Sequence, residues 1–156
     1  MFLHGRLWEE DRAKRGPKAP FSVTPFEPPV DELTDEFPLR LTTGRRLDSY
    51  NTGVQTGGYT SPLRRGETID MSPEDADRLG VLDDEVVRVT SRRGSLDVPV
   101  RVDRGLRPGL VFMTLHFPDQ VDTNILTIDA TDPKSGTAEF KASAVRIEKI
   151  SESVGA

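Results

Sequence analysis

Cysteine is absent from this chain and histidine nearly so, with only His4 and His116 among 156 residues. Without a thiolate the chain cannot ligate an iron–sulfur cluster or offer a Cys–metal bond. Two histidines are too few for a histidine-rich metal centre. The expectation is therefore that it supplies neither a catalytic residue nor a metal ligand. No apolar run approaches the roughly 20 residues that cross a bilayer as a helix. The N-terminus also lacks the basic-then-apolar order of a secretory signal, because His4, Gly5 and Arg6 interrupt Leu3 and Leu7. Together with the missing cysteine, this makes the cytoplasm the expected compartment, with no membrane partner. Basic charge is in deficit too: 21 Lys and Arg face 26 Asp and Glu, a net charge of −5. Nucleic-acid binders normally present a basic face, so no nucleic-acid partner is expected.

The remaining composition describes a globular protein with room for one domain and a sizeable core. Prolines divide it unevenly. Six of the twelve, Pro17, Pro20, Pro25, Pro28, Pro29 and Pro38, fall in the first 38 residues, leaving little room there for helix or central strand. Residues 1–36 are expected to be extended or disordered, with Phe21 to Phe26 as one edge strand, and residues 151–156 disordered. Trp8 and Phe2 lie in that first segment without evident packing partners.

From Phe37 the pattern changes to short strands broken by turns. Strands are expected at Leu39–Thr43, Thr68–Met71, Glu85–Ser91, Ser95–Asp103, Leu110–Leu115 and Ala142–Ile150. Leu96, Val98, Val100 and Val102 alternate cleanly onto one face of the fourth. Ser72-Pro73-Glu74-Asp75 is a helix start, with a serine cap, proline at the first position and acids in the first turn. Gly80 ends that helix. Arg92-Arg93-Gly94 reads as a hairpin turn. Residues 116–135 form a long polar loop, a length usually associated with function. Short strands with one short helix imply a mainly β, closed and mostly antiparallel barrel over residues 37–150.

The candidate binding feature is Leu41-Thr42-Thr43-Gly44-Arg45-Arg46, an apolar strand running into a glycine and an arginine pair. Backbone amides at a glycine turn can approach phosphate oxygens, and arginine adds a planar charged fork. Asn51, Thr52, Gln55 and Thr56 follow as neutral donors and acceptors able to read a base or pterin edge. Residues 40–66 hold Arg40, Arg45, Arg46, Arg64 and Arg65 against Asp48 alone, a basic patch on an acidic chain. Asp48 would repel phosphate and so suits orienting Arg45 or Arg46, or accepting from a guanine. The plainer reading of this stretch is an ordinary strand end with a solvated loop.

Ordered blocks extend the signal through most of the chain: Phe37-Pro38-Leu39-Arg40-Leu41-Thr42-Thr43-Gly44-Arg45, Ile69-Asp70-Met71-Ser72-Pro73-Glu74-Asp75-Ala76, Ser91-Arg92-Arg93-Gly94, Arg107-Pro108-Gly109-Leu110-Val111-Phe112-Met113, His116-Phe117, Asn124-Ile125-Leu126-Thr127 and Glu139-Phe140-Lys141. In this order they resemble the C-terminal dinucleotide-binding domain of molybdopterin oxidoreductases, in particular of the formate dehydrogenase alpha subunit. The resemblance implies a six-stranded double-psi β-barrel with short helices. It also implies a molybdopterin guanine dinucleotide as cofactor, its molybdenum or tungsten held with the rest of a larger subunit whose remaining domains are the partners. It further implies that the chain alone is inactive and that the parent is a formate dehydrogenase-type oxidoreductase. Carried over position by position, the cofactor contacts implied are Thr43, Gly44, Arg45, Ser49, Tyr50, Asn51, Thr52, Gln55, Thr56, His116, Asn124 and Lys141. The chain departs from the family in having no histidine near Ser49–Asn51, and Phe140 where many relatives carry Tyr.

Two other readings remain. The barrel could serve only as a docking module for other protein, with an exposed apolar patch as its mark. Some small barrels of this type are self-cleaving decarboxylases cut at a Gly-Ser bond, and Gly94-Ser95 is the only such pair. The hairpin reading of Arg92-Arg93-Gly94 argues against that processing.

Overall fold

Each apolar stretch from Leu39 onward becomes a strand: β1 (Leu39–Gly44), β2 (Ile69–Met71), β3 (Val86–Ser91), β4 (Ser95–Val102), β5 (Leu110–Thr114) and β6 (Ser143–Lys149). The structure is a computed structural model and describes residues 21, 23–46, 66–118 and 120–150. The strands close into a barrel in the order β1-β5-β2-β4-β3-β6. Two neighbouring pairs, β1/β5 and β2/β4, are parallel, and the other four are antiparallel. This mixed order is consistent with a double-psi barrel.

Period-two alternation fills the interior. Leu39 and Leu41, Ile69 and Met71, Val87 and Val89, Val98 and Val100, Val111 and Met113, and Val145 and Ile147 all point inward and are buried. Each such side chain contributes about 1.5–3 kcal/mol relative to exposure. Leu96 and Val102, expected on the same face as Val98, are only partly buried at the ends of that row. A 3₁₀ turn at Thr123–Leu126 inserts Leu126 into the core.

The helix α1 (Pro73–Leu79) starts and stops as its sequence dictates. Ser72 Oγ accepts from the Asp75 amide at 3.1 Å and donates to Asp75 Oδ2 at 2.9 Å. Gly80 closes it in the left-handed region, φ 66°. Asp75 does more than favour the helix dipole: its Oδ2 also accepts from the Gly109 amide at 2.8 Å, tying the helix start to the turn that launches β5.

The expected edge strand at Phe21–Phe26 does not form; residues 21 and 23–26 carry no strand, and Phe21, Val23 and Phe26 are exposed. A closed barrel leaves no free edge for it to join. The segment is nevertheless attached, through Asp31. Its carboxylate accepts from Arg92 and, at 2.7 and 2.8 Å, from Arg93 and the Ala144 amide. Arg40 bonds the Asp31 carbonyl at 2.6 Å and the Ala142 carbonyl at 2.7 Å. Phe37 is buried beneath the guanidiniums of Arg92 and Arg146.

Burial acts to raise the Asp31 carboxyl, but hydrogen bonds from Arg93 and the Ala144 amide and the charge of Arg93 outweigh it and hold the group below the usual carboxylate range. A pKa lower in the folded than the unfolded state means the clasp stabilises the fold above the ordinary carboxylate pKa. That stability fades as pH falls through the lowered value. Asp31→Asn should therefore cost about 2 kcal/mol near neutral pH, with the deficit shrinking in acid. Urea unfolding at neutral and acidic pH measures both, and a variant as resistant to urea as the wild type would refute the clasp.

Candidate functional site

β1 and β5 lie side by side and parallel, with Gly44 opposite Thr114, so the segments that follow both strands leave from the same end of the barrel. Arg45 and Arg46 follow β1; Leu115 and His116 follow β5. The two exits are joined where the Arg46 amide donates to His116 Nε2 at 3.1 Å. That bond makes Nε2 an acceptor, which assigns the ring proton to Nδ1.

From there the Arg46 side chain crosses the outside of the barrel. Its guanidinium carbon sits 5.3 Å from the centroid of Phe112 on β5, and Nη2 reaches Asp70 Oδ2 and, at 3.3 Å, Thr68 Oγ1 beside β2. Asp70 stands in register with Phe112 on one neighbouring strand and with Arg101 on the other. Arg101 Nη2 donates to the same Oδ2 and to Asp103 at 2.9 Å, while Thr68 Oγ1 donates to Asp70 Oδ1 at 2.8 Å. Side-chain exposure is 2% for Asp70 and 10% for Arg46, so this outward-facing pair is largely shielded from solvent. Arg46 Nη1 is buried and has no hydrogen-bond partner among the described residues. An unmet buried donor of this kind costs about 1–3 kcal/mol.

Gly44 was expected at a tight turn. It is instead the last residue of β1, with no positive φ. Its lack of a side chain matters for a different reason: a Cβ there would lie 3.0 Å from Phe112 Cε2, so glycine gives the ring its place beneath Arg46.

Glu67 is buried beside this cluster, accepting from the Thr114 amide at 2.8 Å and from the Thr114 hydroxyl, which in turn accepts from the His116 amide at 3.2 Å. Desolvation raises the Glu67 carboxyl above the usual glutamate range, more than the Thr114 bonds and the charge of Arg46 lower it. A folded-state pKa above the unfolded one means folding retains the proton. Stability then falls as pH rises from the ordinary glutamate range through the raised value. Glu67→Gln keeps an acceptor for the amide and removes the titration. The wild type should lose thermal stability relative to this variant across that window; melting curves that stay parallel through it would refute the assignment.

The structure brings only part of the expected set together. Gly44, Arg45 and His116 gather at the common end of β1 and β5. Thr43 is buried and donates to the Phe140 carbonyl at 3.0 Å, linking β1 to the segment that carries exposed Lys141, whose ammonium lies 5.8 Å from the Phe140 ring centroid. Asn124 is exposed in the 3₁₀ turn, and the contacts that fix this turn run to the β3–β4 hairpin, where Arg93 donates to the Leu126 carbonyl at 2.8 Å. Ser49, Tyr50, Asn51, Thr52, Gln55 and Thr56, like Asp48, Arg64 and Arg65, lie outside the described residues. The carboxylate that orients Arg46 here is Asp70. Sequence reasoning missed it, along with Arg101, Phe112, Glu67 and Thr114. The available signal was a lone carboxylate inside the apolar strand Ile69-Asp70-Met71.

The profile of the molydopterin dinucleotide binding domain matches residues 39–144. The chain is 44% identical over 124 residues to the F420-dependent formate dehydrogenase 2 subunit alpha of Methanococcus maripaludis, covering 78% of this chain and 18% of that protein. It is 37% identical over 150 residues to the assimilatory nitrate reductase catalytic subunit of Bacillus subtilis, covering 94% of this chain and 21% of that protein. The chain thus spans about a fifth of the length of these curated relatives. Among solved structures, acetylene hydratase from Pelobacter acetylenicus shares the fold with a TM-score of 0.63 at 19% identity, over 74% of this chain and 19% of that one. With the family profile spanning the whole barrel from β1 into β6, the chain belongs to the molydopterin dinucleotide binding domain family.

Proposed function

We propose that this barrel binds and orients a molybdopterin guanine dinucleotide as one domain of a formate dehydrogenase-type oxidoreductase. The observation that carries the reading is the shared exit of β1 and β5, where Gly44, Arg45, Arg46 and His116 converge within the family-matched region. The residues present fit such a group: a buried guanidinium atom of Arg46 lacks an acceptor, and a pyrophosphate supplies anionic oxygens. Arg45 and His116 would hold the cofactor at this end, with Gly44 between them. Thr43 would shape the edge from behind, and Lys141 would approach along the neighbouring segment. When bound, the molybdenum or tungsten pterin supplies the redox chemistry, and this chain contributes binding and orientation. Formate dehydrogenase subunits and nitrate reductases match this chain at overlapping identities, so the formate-type parent is supported by the ordered blocks of the sequence and not by identity. The remaining domains of that subunit would be its partners, in the cytoplasm.

A second reading is favoured by a separate observation. Phe21, Val23 and Phe26 are almost wholly exposed, as a surface covered by other protein would be. Under this reading the barrel docks without binding nucleotide by itself.

An amide NMR titration of the 156-residue chain with GDP separates the two. Binding with a millimolar Kd, worth about 4 kcal/mol, should shift Thr43 to Arg46, His116 and Lys141 and leave the β3–β4 hairpin unmoved. A spectrum unchanged at millimolar GDP would refute independent nucleotide binding and favour docking. Formate oxidation by the purified chain would overturn both readings.

A further inference from the structure

Arg45 carries the phosphate contact in the sequence reading, yet it is exposed, whereas its neighbour is the arginine the fold has built a seat for. We propose that Arg46 is the main contact of this domain to the pyrophosphate of the bound dinucleotide, and that Asp70 is the positioning residue that aims it. The inference rests on the cofactor-binding reading.

Three observations converge on it. First, Arg46 uses only part of its donor set. Its Nη2 is taken by Asp70 and Thr68, while the buried Nη1 meets no acceptor among the described residues. A guanidinium fork offers five N–H donors in one plane, so fixing one nitrogen on a carboxylate fixes the direction of the other. Second, Asp70 does not neutralise Arg46 alone. Its Oδ2 is shared with Arg101, directly opposite on β4, which also pairs with Asp103, so Asp70 is held from both sides and Arg46 receives only part of its charge. Third, the backbone of Arg46 is held as firmly as its side chain, by the bond from its amide to His116. Phe112 supports the guanidinium face, in space that Gly44 leaves open. A salt bridge serving stability alone would need neither the unmet donor nor the main-chain anchor.

Asp70 also supplies a discriminating sign. Were it only a source of negative potential, neutralising it would strengthen anion binding. As a positioning residue, its loss frees Arg46 to swing and should weaken binding despite the gain of positive charge.

The test uses the full 156-residue chain with inorganic pyrophosphate and GDP as probes, following the arginine Nε–H resonances by NMR and unfolding by melting. In the wild type, pyrophosphate should shift the Arg46 Nε–H signal more than that of Arg45. Arg46→Gln should raise the pyrophosphate Kd about tenfold, as expected for loss of a charge-assisted fork. Asp70→Asn should raise it as well, though by less, while Arg45→Gln has the smaller effect of the two arginine variants. A wild-type Arg46 signal unmoved by pyrophosphate while Arg45 shifts would overturn the proposal and leave the cofactor reading standing. So would tighter binding by a folded Asp70→Asn chain. The wild-type resonance needs no variant to fold, so misfolding of Arg46→Gln leaves the proposal open to refutation. Failure of both probes to shift any resonance would overturn the inference and the nucleotide-binding reading together.

Discussion

One carboxylate organises the outer face at the functional end of the barrel. Asp70 lies between two core-facing residues of the three-residue strand β2, so its side chain must emerge on the outside, where neither Phe112 nor the aliphatic strands can satisfy a charge. A charge removed from water this far persists only with close, well-oriented partners. Arg101 provides one from β4 by register alone. Arg46 provides the other from beyond the end of β1, and reaching it requires the chain to leave β1 over Phe112. The course of Arg45 and Arg46 beyond β1 is thus set by electrostatics as much as by the sheet. The position of His116 follows, because it receives the amide of the same arginine.

Much of the frame was legible because it depends on period and punctuation. Apolar alternation placed all six strands within a residue or two, and Ser72, Pro73 and Gly80 marked both ends of the helix. A closed, mostly antiparallel barrel was legible from short strands with one helix, and the resemblance sharpened it to a double-psi barrel; the two parallel pairs were not readable, because periodicity does not say which strands meet. The candidate site was less legible for the same reason. Arg45 and Arg46 look identical in sequence, and what separates them is a strand 24 residues further along that carries Asp70. Likewise Gly44 invited a turn reading, whereas its role is to leave room for a ring on the neighbouring strand. Pairwise facts of this kind enter only once register is known.

The buried polar groups at this end form a chain of dependencies. Glu67 holds Thr114, Thr114 holds the amide of His116, and His116 holds Arg46. Every link joins side chain to backbone or side chain, and none belongs to the strand ladders. Such networks specify one arrangement when every member is satisfied. Arg46 Nη1 is one of three buried side-chain atoms that lack a hydrogen-bond partner among the described residues.

The Asp31 clasp bears on where this unit begins. The shift in composition and the family profile both place the start near Phe37 to Leu39. Yet Asp31 accepts the amide of Ala144, 113 residues away, and joins the β3–β4 hairpin to the start of the last strand. The piece that can be moved intact between homologous subunits is thus longer than the barrel. A graft cut at the first strand would strand two arginines and a main-chain donor without their acceptor, whereas one cut ahead of residue 31 carries its own fastening with it.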